Sequence, residues 1–376
     1  TIVLCPAPRP CREAAVHHLQ GRPPELIPYD PDLWTPFQRT RIVDAGARRL
    51  DEIPDFIREV LSHTTSLLVV CNTKKQAQFL FQQLRQTDAV CFHLSASMCQ
   101  AHRKTVLNQM RAALEESRKG GPRVLCISTQ VIEAGVDVSF GSDIRFAAGM
   151  DNVVQTAGRC NRNGESSVPV PVYLLNCSDE NLGRLQEIQN AKTATLQLAS
   201  AFCKNPEQFD SDLASDLSIS CYYRNLYCGM LPGAQDYPLK KGTSLFVLLS
   251  VNKAHATGWP GMEQFGLHQA FKEAGHAFQV FNQETYDVLV PYGEGAGLIA
   301  ELGSETVQRD QEAQEILLKK AKSFTISLYQ YQKEILMKQH GLAPYLDGVV
   351  LALSPDFYDG ETGLTFEGAD SKFLEV

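Results

Sequence analysis

Three side chains within one ten-residue stretch have the types and spacing for chemistry on a polyphosphate. In QTAGRCNRNG, residues 155 to 164, Gln155, Arg159 and Arg162 fall at i, i+4 and i+7. A helix starting after Asp151 and running over about 152–160 would place all three on one face. Guanidinium forks match phosphate oxygens and neutralise the charge that grows during phosphoryl transfer, an effect worth roughly a thousandfold or more in rate. Gly158 beside them allows close approach to another surface. A solvated basic helix face is the competing reading, but Gly158, Cys160 and Asn161 are poor choices for a plain surface helix.

Just upstream, residues 128 to 139 read STQVIEAGVDVS and follow an apolar run. Ser128 and Thr129 at its end offer hydroxyls and backbone N–H groups to a phosphate of a nucleic-acid strand. Gly135 removes a side chain where the backbone must pass close to a ligand. Asp137 is placed to accept a hydrogen bond from a ribose hydroxyl. Taken singly, each of these residues also fits a strand-to-helix turn with a polar cap.

These residues need a frame to hold them. Short apolar runs at 66–72, 89–95, 123–129, 142–149 and 170–176 alternate with helical patterns at 74–86, 101–118 and 152–160. That alternation predicts an α/β fold, a parallel sheet with helices on both faces. Ligands gather at the carboxyl ends of such strands, where both stretches begin. A long helix is expected over 179–204, then a mixed α+β region over 205–376. Residues 1–40 hold eight prolines and one convincing strand, Ile2 to Cys5, too little for a domain.

Composition agrees with this division. The chain of 376 residues, 44% hydrophobic and 21% charged, suits a globular protein of two or three domains. No run approaches eighteen apolar residues, so no membrane span is expected. Thr1-Ile2-Val3-Leu4-Cys5 lacks the layout of a signal peptide and reads as the interior of something longer. The net charge of −8 is uneven: residues 41–178 carry 16 basic against 13 acidic side chains, residues 179–376 carry 15 against 26. Phosphate contact is therefore expected on the middle segment. Eleven cysteines without a C-x-x-C pair point to a reducing cytoplasm, and no metal site is expected.

VLCISTQVIEAGVDVS resembles motif V of superfamily-two helicases, QTAGRCNRNG resembles motif VI, and LLVVCNTKKQA at 67–77 resembles motif IV. The resemblance implies a RecA-like domain at 41–178 and gives the residues roles. Thr129 and the Asn72-Thr73 turn would touch the nucleic-acid backbone, Asp137 would hold the nucleotide ribose, and Gln155, Arg159 and Arg162 would face ATP. The likeness narrows to the nuclease-helicase of type I CRISPR systems, particularly subtype I-C. HLSASMCQAHRKTVL, with His102-Arg103 at that family's HR step, carries it, as do VLVPYGEGAGLIAEL, FTISLYQYQ and FYDGETGL. It runs from about residue 66 to 366. It implies an ATP-dependent single-stranded DNA translocase that unwinds target DNA for degradation. ATP and Mg would be shared with a first RecA-like domain, and residues 1–40 would be the remnant of that domain and a linker. An HD nuclease and the CRISPR surveillance complex are the further implied partners, and the last segment would be an accessory domain closing the DNA channel.

Several family parts are missing. No G-x-x-x-x-G-K-[ST] phosphate loop is present, and there is no HD nuclease segment. Asp51-Glu52-Ile53-Pro54 imitates an acidic Mg box, but Arg48-Arg49-Leu50 precedes it, which predicts a helix N-terminus instead. Tyr292-Gly293-Glu294-Gly295-Ala296-Gly297 fails the spacing of a dinucleotide turn and reads as a structural turn. Pro6-Ala7-Pro8 stands where the family places a Ser/Thr-Ala-Thr coupling motif; either coupling is degraded or the alignment there is accidental. The isolated chain is accordingly expected to lack turnover. A non-catalytic module docking on DNA or the surveillance complex, and another superfamily-two DNA helicase, are the alternative readings.

Overall fold

The computed structural model describes residues 38–366, except 134, 184, 229–235, 240–242, 251, 253–268 and 280–284. The expected strand at Ile2–Cys5 and the Pro6-Ala7-Pro8 segment lie outside these.

The N-terminal layer comprises β1 (Thr40–Arg48), α1 (Ile53–Ser62), β2 (Ser66–Val70), α2 (Lys74–Leu84), β3 (Val90–Leu94), α3 (Gln100–Arg118), β4 (Val124–Ser128), β5 (Ser142–Phe146), α4 (Met150–Ala157) and β6 (Val170–Cys177). The six strands form one sheet in the order β1-β6-β5-β2-β4-β3, and every pairing is parallel. Strands β2, β4 and β5 are buried at every residue, as continuous apolar runs covered on both faces must be. The period-two alternation splits the core in two. Leu67, Val69, Leu125 and Ile127 pack with α1 and α2 residues such as Ile57 and Leu80. Leu68, Val70, Val124 and Cys126 face Val106 and Met110 of α3 and Val153 of α4. The RecA-like α/β arrangement expected from the sequence is thus the one observed. Strand β1 was not anticipated: it is an edge strand whose register shifts between Asp44 and Ala47.

Asp51-Glu52-Ile53-Pro54 does begin a helix. Glu52 accepts a hydrogen bond from Arg49 N at 2.8 Å, and Pro54 stands in the first turn of α1, where a missing N–H is harmless. The expected 179–204 helix is shorter, as α5 (Gln186–Lys204). Its first residues are tied elsewhere: Asp179 accepts from Leu50 N at 2.9 Å, and Glu180 points into the domain. Helix α6 (Asp216–Cys228) packs on the α5 side, with Tyr222 buried in the same core as Leu198.

Beyond α7 (Leu245–Leu249) and α8 (Phe271–Ala277), a smaller region contains β7 (Thr285–Leu289), α9 (Glu294–Leu302), α10 (Glu305–Arg309), α11 (Gln311–Ala321), β8 (Thr325–Tyr329), α12 (Gln330–Lys338), β9 (Leu342–Tyr345) and β10 (Val350–Leu353). Its sheet runs β8-β7-β10-β9 and is mixed. The two helices α10 and α11 meet at Asp310, whose carboxylate caps α11 through Glu312 N. Gly293 (φ +52°) turns the chain into α9, and a Cβ on Gly295 would meet Val290 O at 2.3 Å. The glycine run at 293–297 is therefore a structural turn.

An aromatic seam joins the two regions. The ring of His102, at the start of α3, stacks on Tyr292 with centroids 4.1 Å apart. Its Nδ1 lies 3.0 Å from the Tyr358 hydroxyl, which also accepts from Cys99 N at 3.1 Å. The terminal hairpin β11 (Tyr358–Asp359) and β12 (Gly363–Leu364) completes the join, with Leu364 N donating to Ser97 O at 2.9 Å. Gly363 has φ +83°, and a Cβ there would lie 2.4 Å from Ser97 O.

Candidate nucleotide and nucleic-acid site

The arginine turn is not a helix face. Helix α4 stops at Ala157, with Gly158 as its C-cap, so Gln155, Arg159 and Arg162 do not stand in one helical row. Gln155 is exposed on α4, and Gly158 is exposed at its end. Arg159 and Arg162 belong to the turn beyond, held by backbone pairing: Phe140 N donates to Arg159 O at 2.9 Å, and Asn161 N donates to Phe140 O at 3.0 Å. Asn161 takes the left-handed conformation (φ +47°), which a short polar side chain tolerates best after glycine. Its amide ties down Arg39 O and Ser166 O at 3.2 and 3.0 Å. Spacing alone puts the three polar residues together; the turn brings only the two arginines to one place.

Those two arginines differ. Arg159 is buried, donates from Nη2 to Glu133 O, and leaves Nε without a partner. Burial, and after it the charge of Arg162, pulls its pKa below the usual guanidinium value. Arg162 is half-exposed and meets Asp137 at 3.1 Å, while its N–H donates to Ser139 Oγ at 2.9 Å. Asp137 itself is largely exposed, and Gly135 (φ +71°) makes the bend before it. An exposed carboxylate and two arginines on one turn can receive a sugar hydroxyl and a polyphosphate. These residues fit a nucleoside triphosphate, since among the described residues Arg159 holds an N–H with no hydrogen-bond partner and Arg162 pairs only with solvent-exposed Asp137.

The turns at the ends of β2 and β4 face the expectation less simply. Asn72 is buried, with Nδ2 donating to Ala147 O at 2.9 Å and Glu180 Oε1 at 3.0 Å, and Oδ1 accepting from Arg145 at 2.7 Å. Thr73 caps α2, accepting from Gln76 N at 3.2 Å in a reciprocal capping box. Ser128 is fully buried, its hydroxyl engaged with Leu94 O and Thr129 O. The outward hydroxyl and amide expected at Ser128 and Asn72 are instead internal braces. Thr129 is the exception: its Oγ1 makes no hydrogen bond among the described residues.

Two cations, to which the sequence motifs assign no nucleic-acid contact, follow strands of this sheet. Lys74 follows β2 and Arg103 lies in the first turn of α3, after β3. Burial first, and then the Arg103 charge, lowers the Lys74 pKa. Among the described residues neither cation has a carboxylate within ion-pair range. The two cations lie close to one another, on the segments that follow the two strands flanking β4, and a phosphodiester would need such a basic surface. Among the described residues no cluster of metal-ligating side chains occurs, and no helix is long and apolar enough to cross a membrane. None of the nine described cysteines is in a disulfide.

Residues 63–165 match the family described as CRISPR-associated nuclease/helicase Cas3, C-terminal. Cas3 of Haloferax volcanii is 49% identical over 57 residues, which cover 14% of this chain and 6% of that protein. An ATP-dependent RNA helicase eIF4A of Candida albicans is 28% identical over 128 residues, 33% of this chain and 29% of its own length. Among solved structures, T. fusca Cas3–ADP aligns over 91% of this chain and 44% of its own, with TM-score 0.56 and 13% identity. T. fusca Cas3–AMPPNP aligns over 87% and 42%, with TM-score 0.54 and 14% identity. At those identities the structures establish the shared fold. The chain spans less than a third of the curated relatives it matches and less than half of these two Cas3 structures. Over residues 63–165 the chain is thus similar to the Cas3 C-terminal family, within a fold shared over most of its length with Cas3 structures.

Proposed function

We propose that this chain is the C-terminal half of a Cas3-type, subtype I-C-like, ATP-dependent single-stranded DNA translocase, and that it supplies the arginine side of the ATP site. The observation that carries the reading is the turn at 159–162. It holds two guanidinium groups beside Asp137, and the turn's position is dictated by backbone pairing with the preceding motif. Bound ATP would supply the phosphoanhydride whose cleavage drives movement. Arg159 and Arg162 bind and neutralise its terminal phosphate oxygens, Asp137 accepts a ribose hydroxyl, and Gln155, exposed on the last turn of α4, stands apart from the two arginines. A polyphosphate would compete with Asp137 for Arg162, so the exposed ion pair is the part of the site that rearranges.

Thr129, with Lys74 and Arg103, grips the DNA backbone at the neighbouring strand ends. The phosphate loop and the nuclease belong to a first half, in the same or a separate chain, and the surveillance complex is the expected docking partner in the reducing cytoplasm. The family match over 63–165 favours this over an unrelated superfamily-two helicase. A non-catalytic docking module is the second reading, favoured by the absence of a phosphate loop from these residues. The test is ATPase activity with single-stranded DNA, measured on the chain alone and after adding a phosphate-loop-bearing first half. Turnover only in the mixture is expected; none in the mixture would leave the docking module.

A further inference from the structure

The least expected group in the molecule is Arg145. It stands in the middle of β5, fully buried, the largest side chain with no access to solvent. A guanidinium in that position must be held by partners, because an uncompensated buried charge is very costly. Nη1 donates to Asn72 Oδ1 at 2.7 Å and to Phe146 O at 2.9 Å. Nη2 forms an ion pair with Glu133 Oε1 at 3.0 Å, and Nε has no hydrogen-bond partner among the described residues. Asp143, two residues earlier on β5, does not supply one: it is fully buried without a partner, and burial pushes its carboxyl well above the usual range.

Glu133 is the next link. It is buried, and it touches three residues of the α4 segment. Oε2 accepts from Asn152 Nδ2 at 3.0 Å, Oε1 accepts from Thr156 at 3.4 Å, and its carbonyl accepts from Arg159. Residues 152, 156 and 159 are spaced i, i+4 and i+7, the row that the helix pattern assigned to 155, 159 and 162. On the other side, Asn72 meets Glu180, and Glu180 pairs with Lys192 of α5 at 2.9 Å. Both side chains of that pair are nine-tenths buried or more. A chain of buried polar groups therefore runs from the α5 helix across the strand ends to the arginine turn, with alternating charges at Lys192, Glu180, Arg145 and Glu133.

Resting on the ATP-site reading above, we propose that Arg145 is a positioning residue for Arg159, acting through Glu133 and braced by Asn72, Glu180 and Lys192. Arg145 fixes the Glu133 carboxylate, Glu133 fixes the end of α4, and its carbonyl fixes the Arg159 guanidinium. The arrangement makes the bearing of Arg159 depend on a residue that never reaches the nucleotide. It also makes that bearing sensitive to how α5 seats against the sheet.

The test compares the chain with Arg145→Met, Arg145→Lys and Glu133→Gln variants. Peptide-resolved hydrogen exchange over 150–164 and alkylation of Cys160, buried next to Arg159, report the turn; exchange over β2 reports the fold. In Arg145→Met, exchange over 150–164 and Cys160 labelling are expected to rise at least tenfold while β2 stays protected. Arg145→Lys should restore part of that protection. In the complex with a first half, kcat for ATP should fall at least tenfold with KM changed less than threefold. Unchanged exchange, labelling and kcat in Arg145→Met would overturn the proposal. If Arg145→Met fails to fold, Glu133→Gln decides, and unchanged 150–164 exchange there overturns it equally. If the exchange results hold but Arg159→Ala leaves turnover intact, the ATP-site reading fails and the positioning of Arg159 stands.

Discussion

The RecA-like region and the smaller region solve the same problem of rigidity with opposite materials. The first places charges inside: Arg145, Glu133, Glu180 and Lys192 are buried at the strand ends and aligned in alternating sign. The second has cores of Leu, Val, Ile and Phe and fastens itself to α3 by the rings of Tyr292, His102 and Tyr358. Apolar packing holds a surface together but does not orient one side chain. Buried ion pairs are often no more stabilising than apolar isosteres, and their best-supported use is to specify one arrangement. The contrast teaches that the charged interior sits where a side chain must point in one direction, and the aromatic seam where two bodies need only stay joined.

The largest expected effect comes from breaking the charged interior. Glu133→Ala leaves Arg145 buried without its carboxylate and should cost about 3–5 kcal/mol, measured by urea unfolding followed through the RecA-like region. A loss below about 1 kcal/mol would mean that the interior is not held by this pair.

Acid should separate the regions next. Burial pulls the His93 pKa from 6.5 down to about 4, and burial also lowers that of His102 against the opposing effects of Gly360 and Asp359. For a histidine kept neutral in the fold, the unfolded chain takes up the proton first. Stability is therefore full above about pH 6.5 and falls as pH drops toward 4, by about 3 kcal/mol for His93. His93→Gln should flatten most of this slope in the RecA-like transition, and retention of the full slope would assign it elsewhere.

The smallest effect belongs to the seam. Tyr358→Phe removes the acceptor of Cys99 N and the partner of His102 but keeps the ring, and should cost about 1–2 kcal/mol. Faster proteolysis between the two regions, without loss of exchange protection in β2, is the expected sign. Equal destabilisation of both regions would show that they unfold as one.

Much of the frame was legible in the sequence, because the apolar runs SLLVV and VLCIS can only be strands covered on both sides. The motif turns were legible as locations, since Thr129, Asp137, Arg159 and Arg162 follow strands or a helix that the pattern predicts. Direction was not legible. Nothing in the local pattern says that Asn72 and Ser128 turn inward, because that depends on Arg145, Glu180 and Leu94 arriving from distant parts of the chain. The i, i+4, i+7 spacing suggests a helix through Arg162, but Gly158 and the left-handed Asn161 three residues later end it. Arg145 was visible all along as a charge in the middle of SDIRF, a strand otherwise ready for burial. Strand β1 is not legible in the sequence because TRIVDAGAR has no continuous apolar run and pairs only at an edge.

In the proposed site Arg159, held from behind by buried charges, faces the terminal phosphate of ATP. The deciding comparison is DNA-stimulated kcat for ATP, wild type against Arg159→Ala, in a complex with a phosphate-loop-bearing first half. A loss of about a thousandfold is expected, with the variant chain still folded. A kcat within threefold of wild type would contradict it.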